Sequence, residues 1–151
     1  MSERKIDPRI LELEKERPNP YKEYNHIVIE RLEPDYADLS LVIRPEHLNP
    51  YGMLHGGAMC AIADNATATA VHTDGRTYVT SSSTVFYLGN VSEGTVHCVA
   101  RVTHRGKSTA LTSIEITGEG GKVLARGEYS FFCLSDKGLP ISRRARRIRL
   151  N

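Results

Sequence analysis

The sequence predicts an α+β domain in which a curved antiparallel sheet of five to six strands wraps around one long central helix. Three observations predict it. Residues 56–72 are rich in alanine and apolar on almost every side, the mark of a helix buried all round. After residue 77 the apolar positions take a period of two, as in Val96, Cys98, Ala100 and Val102. Glycines at 94, 106, 118, 120 and 121 punctuate these runs and read as hairpin turns. One hydrophobic helix needs cover, and a curved sheet supplies it.

The elements follow in order. Ile6, Ile10, Leu11 and Leu13 give residues 5–16 the spacing of a short amphipathic helix on the domain surface, ended by Pro18 and Pro20. Residues 26–32 read as a strand, and Leu39, Leu41 and Ile43 mark a second. A polar, turn-rich segment, 44–52, leads into the helix, and Asp74-Gly75 closes it. Strands follow at 78–88, 96–102, 109–117 and 123–133. The expected division is 1–24 as N-terminal helix and linker, 25–134 as the domain, and 135–151 as a basic tail.

A chain of 151 residues is long enough for one domain with a real core. Its 40% hydrophobic and 25% charged content is that of a soluble globular protein. A net charge of +2 gives no argument for nucleic acid. Arginines at 143, 144, 146, 147 and 149 crowd the tail, where a solvated terminus and a phosphate-binding segment are both open readings. Cys60, Cys98 and Cys133 are odd in number and widely spaced in apolar runs, which points to buried thiols in a reducing compartment. The first residues lead into no apolar stretch, and residues 58–71 are broken by Asp64 and Asn65. No export signal and no membrane span are expected, and the location expected is cytoplasmic.

The densest site signal is residues 49–57 followed by Asp64. Gly56 and Gly57 stand where the buried helix begins, and a helix N-terminus offers free N–H groups and a positive dipole end. A carbonyl oxygen becoming an oxyanion can be held there, although two glycines also make a tight turn. Asp64 sits among Ala61, Ile62, Ala63 and Ala66, where a charge is costly unless partnered. It reads as a general base or nucleophile facing a cleft. Gly57 and Asp64 lie almost two turns apart on one side of the helix, about 10 Å along the axis. One carbonyl cannot touch both. If both act on one bond they come from different protomers, which requires a two-fold dimer with shared sites. His55 precedes the helix and can polarise the carbonyl or orient the loop. On strand 78–88, alternation puts Thr80, Ser82 and Thr84 on one face. The histidines make no zinc-ligand spacing with one another or with cysteine, so no metal is expected. Gly106-Lys107-Ser108 looks like the end of a phosphate loop, but Arg101 stands where such a loop needs glycine.

Together these residues resemble the hotdog-fold thioesterases, in particular the phenylacetic-acid-degradation type of acyl-CoA thioesterase. The pattern Asn-x-x-Gly-x-x-His-Gly-Gly followed by Asp is met without a gap by Asn49, Gly52, His55, Gly56, Gly57 and Asp64. The likeness covers roughly residues 25–134. It implies a hotdog fold and hydrolysis of an aryl- or short- to medium-chain acyl-CoA to free acid and CoA. It implies that the Gly57 amide holds the thioester carbonyl, that His55 polarises or positions it, and that Asn49 orients the water or the thioester. Asp64 of the partner protomer would be the base or nucleophile, with Thr80 helping to place the water. Gly56 and Ser82 would line the substrate, and Arg105 and Lys107 would suit the CoA phosphates. No cofactor is implied, since coenzyme A arrives within the substrate. The expected assembly is a homodimer, often paired into a tetramer. Gly89-Asn90 stands where many relatives carry Arg-Pro, so that edge is expected to differ.

Three other readings fit parts of the pattern. A non-catalytic acyl-CoA sensor would use the same fold, but residues 1–24 are too short for a DNA-binding helix-turn-helix. A dehydratase of 3-hydroxyacyl thioesters would need a differently placed acid–base pair. An orphan scaffold would not be expected to keep the full Asn-Gly-His-Gly-Gly-Asp set.

Overall fold

The computed structural model describes residues 17–138 without a break, together with Pro8, Glu12, Glu14, Ser142 and Arg144. Most of the expected helix at 5–16 and most of the arginine tail lie outside the described residues.

Six strands form one antiparallel sheet: β1 Val28–Glu33, β2 Tyr36–Val42, β3 Thr77–Tyr87, β4 Thr95–Arg105, β5 Thr109–Thr117 and β6 Val123–Ser135. Their spatial order is β1-β2-β4-β5-β6-β3. A short helix α1, Pro20–Tyr24, precedes them, and the long helix α2, Gly56–Val71, lies between β2 and β3 in the chain. The expected sheet around one helix is therefore present with six strands.

The period-two pattern sets which face of each strand is buried. On β4, Val96, Cys98 and Ala100 face α2, and on β5, Ala110, Thr112, Ile114 and Ile116 do so. Helix α2 brings Met59, Ala61, Ile62, Ala63, Ala66, Ala70 and Val71 to the same core. Its alanines are short enough for the sheet to approach the helix closely. The buried polar side chains of α2 bond back to the helix itself: Thr67 Oγ1 to the Ala63 carbonyl at 2.9 Å, Thr69 Oγ1 to that of Asn65 at 2.8 Å, and Asn65 Nδ2 to that of Ala61 at 2.8 Å. Asn65 Oδ1 also accepts from Nδ2 of Asn19, the N-cap of α1, at 3.3 Å, which ties α1 to α2.

The hairpin expected at Gly94 does not form. β3 pairs with β6 at the far side of the sheet, and β4 pairs with β2 and β5. The Gly94 turn is real, with φ of 92°, but its carbonyl accepts from Ile43 N at 2.9 Å, at the end of β2. A turn glycine marks a reversal of the chain; it does not name the strand on the other side. The turns at Gly106 and Gly118–Gly121 do join paired neighbours, β4 to β5 and β5 to β6. At Gly127 on β6 the backbone of β3 comes so near that a Cβ would strike the Thr84 carbonyl oxygen.

The three thiols are all free, but only Cys98 is buried; Cys60 and Cys133 are half-buried. Cys60 departs from the expectation because it lies on the one side of α2 that the sheet leaves open. Among the described residues no helix is long and apolar enough to cross a membrane.

Candidate active site

The loop before α2 is built around its own side chains. Asn49 Oδ1 accepts from the backbone N–H groups of Tyr51 at 2.9 Å and Met53 at 3.0 Å. Asn49 N donates to the Met53 carbonyl at 2.7 Å, and Gly52 N to the Asn49 carbonyl at 3.0 Å. Gly52 takes φ of 75°, a left-handed turn that favours glycine. Leu54 is buried, and its N–H donates to the Val91 carbonyl at 2.8 Å. Asn90 Nδ2 donates to the Leu54 carbonyl at 3.2 Å. The Gly89-Asn90 segment thus braces the loop from behind, a role the sequence pattern does not reveal.

His55 is the N-cap of α2. Its Nδ1 accepts from Gly57 N at 2.8 Å, while its carbonyl accepts from Ala58 N at 2.9 Å and Met59 N at 3.2 Å. This changes the reading of the two glycines. The Gly57 N–H, expected to hold a carbonyl, is occupied by the imidazole. The Gly56 N–H is the first-turn amide with no partner among the described residues. An imidazole that accepts at Nδ1 carries its proton on Nε2, so exposed His55 presents a second N–H at the start of α2.

On α2, Gly57, Cys60, Asp64 and Ala68 escape full burial and recur every three or four residues. They form one stripe along the helix. Asp64 Oδ1 accepts from Thr80 Oγ1 at 2.8 Å, so the expected pairing of Asp64 with the hydroxyl strand is present. Asn49, His55, Gly56 and Gly57 gather at the start of α2, whereas Asp64 and Thr80 lie farther along it.

Ser82 does not join them. The register of β3 against β6 slips between Thr80 and Ser82, with Thr80 opposite Phe131 and Ser82 opposite Ser130. Ser81 is the extra residue of a bulge. Phe131 faces the helix, so Thr80 does too; Ser82 is turned to the outer face, where its Oγ meets Ser130 Oγ at 2.6 Å. Beyond the bulge the helix-facing positions are Ser83, Val85 and Tyr87. Ser83 therefore takes the place expected for Ser82. Tyr87 lies against the start of α2, its hydroxyl 2.8 Å from Cys60 Sγ and 3.5 Å from the Gly56 carbonyl.

Arg105 is not available to a phosphate. Its guanidinium holds Asp35 Oδ1 at 2.9 Å and Asp74 Oδ2 at 2.8 Å, with the Tyr78 hydroxyl at 3.1 Å. It clamps the β1–β2 turn and the start of β3 to the C-terminal end of α2. Burial pulls the Asp74 carboxyl upward, but hydrogen bonds from Tyr78 and Arg76 and the Arg105 charge outweigh it and hold the carboxyl below its ordinary range. Lys107 is exposed in the adjoining β4–β5 turn. Both lie at the end of α2 opposite Gly56, about 24 Å away along a 16-residue helix.

The model of the thioesterase superfamily matches residues 51–125, a span that runs from the loop through α2 to β6. The acyl-coenzyme A thioesterase PaaI of Escherichia coli is 31% identical over 95 residues, covering 62% of this chain and 68% of that one. The chain belongs to the thioesterase superfamily. A second relative, a Mycobacterium tuberculosis protein named as an esterase, is 31% identical over 103 residues, covering 64% of this chain and 74% of its own. Among solved structures, a mutant of the phenylacetic acid degradation protein PaaI from Thermus thermophilus has 29% identity and a TM-score of 0.73 over 77% of this chain and all of that one (100%). The hotdog architecture of the PaaI type, and an enzyme of the thioester hydrolase class, stand as the sequence led one to expect.

Proposed function

We propose that the protein hydrolyses the thioester of an aryl- or short- to medium-chain acyl-CoA, using sites shared between the two protomers of a homodimer. The observation that carries this is the pairing of an open donor set, Gly56 N–H with His55 Nε2–H, with a carboxylate on the same helix that cannot reach it. Gly56 and Asp64 are separated by about 12 Å along α2. Two such helices packed antiparallel about a two-fold axis bring Asp64 of each protomer toward the donors of the other. The edge strand β3 favours that packing, since among the described residues no strand lies beyond it and its middle is exposed. The acyl-CoA thioesterase named among the relatives supports the substrate class.

In this reading the carbonyl oxygen sits on Gly56 N–H and His55 Nε2–H, which stabilise the charge that grows there. Asp64, with Oδ1 fixed by Thr80, takes a proton from water at Oδ2. The water oxygen bonds to the carbonyl carbon, the C–S bond breaks, and the thiolate leaving group is protonated to give CoA and the free acid. Asn49 spends its Oδ1 on the loop and keeps Nδ2 for the thioester or the water. Nothing beyond the substrate's own coenzyme A is required.

The test is thiol release from a panel of phenylacetyl-, hydroxyphenylacetyl-, benzoyl-, hexanoyl- and palmitoyl-CoA, with Asp64→Ala and Asp64→Asn alongside. The expected result is turnover of one class and a loss of about 100-fold or more in kcat for both variants. Binding of acyl-CoA without thiol release on any substrate would overturn the enzymatic reading in favour of a sensor. Analytical ultracentrifugation tests the dimer: a monomer with full activity excludes shared sites.

A further inference from the structure

We infer that His47 is a positioning residue for the proposed reaction: its ring locks the neck of the loop that carries His55 and the Gly56 amide. The role in turnover rests on the proposed hydrolysis; the contacts stand without it. His47 is 4% exposed and precedes the Asn49 to Gly57 pattern that marks the loop.

The neck is a short two-sided ladder. Asn49 N donates to the Met53 carbonyl at 2.7 Å, Leu48 pairs with Leu54 in an isolated antiparallel bridge, and His55 N donates to the His47 carbonyl at 2.8 Å. His47 and His55 therefore face each other where the loop closes. His55 is held on both sides, its N–H by His47 and its carbonyl by Ala58 N and Met59 N. One planar peptide group carries both that carbonyl and the Gly56 N–H, so fixing His55 aims the proposed donor.

The side chain of His47 fixes its own backbone in turn. Nδ1 accepts from Arg44 N at 3.0 Å, while His47 N donates to the Arg44 carbonyl at 2.9 Å. The two residues grip each other across the 3-10 turn Pro45–His47. Arg44 is itself anchored. It follows Ile43, whose N–H donates to the Gly94 carbonyl at 2.9 Å, and its guanidinium meets His26 Nε2 at 3.2 Å, just ahead of β1. A line of contacts thus runs from β1 and β2 through the His47 ring to the donors at the start of α2. Burial pulls the pKa of the ring below its ordinary value; Glu46 and a bond to the Asn25 backbone pull the other way, and His26 and Arg44 add to the fall. At pH 7 the ring is neutral, so Nδ1 stays an acceptor. Without that acceptor the turn loses the bond that closes it, and a shift of about 1 Å at a donor is enough to slow turnover by about 100-fold.

Two substitutions test this. His47→Leu keeps apolar bulk at a buried place and removes the acceptor. His47→Asn sets Oδ1 where Nδ1 stood, attached like it to Cγ. Thiol release is read as kcat and KM separately, and hydrogen exchange is read at the His55 amide, which needs no substrate. His47→Leu is expected to lower kcat by about tenfold to 100-fold with KM changed by less than about twofold, because the donors act on charge that grows in the transition state. His47→Asn is expected to recover most of that loss. The His55 amide should lose protection in His47→Leu and regain it in His47→Asn. A His47→Asn protein as slow as His47→Leu overturns the inference, since the ring would then serve by bulk alone. Wild-type protection of the His55 amide in His47→Leu overturns it too. Should His47→Leu fail to fold, His47→Gln takes its place, because its amide stands one bond farther out and misses Arg44 N. Absence of thiol release by wild type from every substrate is a different result: it strikes the proposed hydrolysis itself, and exchange at His55 still decides the positioning.

Discussion

His55 has two separable tasks, and a pair of substitutions can divide them. Its Nδ1 accepts the Gly57 N–H at 2.8 Å, and its Nε2–H is left for a substrate carbonyl. His55→Ala removes both. Loss of the capping acceptor costs about 1 kcal/mol. For a chain of this length that lowers Tm by roughly 2–4 °C. Loss of one oxyanion donor lowers kcat by about 100-fold or more. Asparagine is a good N-cap, so His55→Asn should recover most of the lost Tm. It cannot place an N–H where the imidazole does, so turnover should stay low. The assays are a thermal melt at fixed protein concentration, since an oligomer's Tm depends on it, and thiol release under saturating substrate. Recovery of turnover together with Tm in His55→Asn would refute the donor role and leave His55 a cap. An unchanged Tm in His55→Ala would refute the cap.

Three further outcomes follow from the packing. Gly127→Ala places a methyl on the Thr84 carbonyl oxygen and should cost about 1–3 kcal/mol in a denaturant titration, with loss of the β3 edge before the rest of the sheet in hydrogen exchange. Arg105→Gln should lower Tm while leaving KM for acyl-CoA unchanged, because its guanidinium is bound to Asp35 and Asp74; a rise in KM would return Arg105 to the phosphate site. Burial lowers the pKa of His72 below its ordinary 6.5, and the neutral ring bonds the Ala68 carbonyl through Nδ1 and the Tyr78 N–H through Nε2. Stability from this neutral form is complete above pH 6.5 and is lost as pH falls through the lower folded value. Denaturant midpoints at neutral pH and near pH 5 should show that decline, and His72→Gln should flatten it.

What the sequence made legible follows its periodicities. The buried helix was readable because apolar residues surround it, and Asp64 was readable as the exception on it. The strands were readable from alternation, to within two or three residues at their ends. Strand order was not, because a turn such as Gly94 records a reversal and not a pairing. Charge type was also a poor guide to use. Arg105 looked free beside Lys107, but folding brings two distant carboxylates, Asp35 and Asp74, against it.

The misplacement of Ser82 has the most consequence for function. Alternation is a rule about a regular strand, and one inserted residue reverses every position after it. The bulge at Ser81 leaves no mark in a run of five hydroxyl residues, Thr80 to Thr84, since each is as polar as the next. Its effect is to keep Thr80 on Asp64 and yet turn Ser83 and Tyr87 inward, where strict alternation from Thr80 would have sent Ser82 and Phe86. A regular strand would set the Phe86 ring beside Gly56 and leave Cys60 without its hydroxyl partner. The bulge therefore decides that the ring beside the start of α2 is tyrosine, whose hydroxyl meets Cys60 Sγ. Deletion of Ser81 would remove the bulge yet keep Ser83, Val85 and Tyr87 opposite their present partners on β6, so the ring beside Gly56 would stay tyrosine.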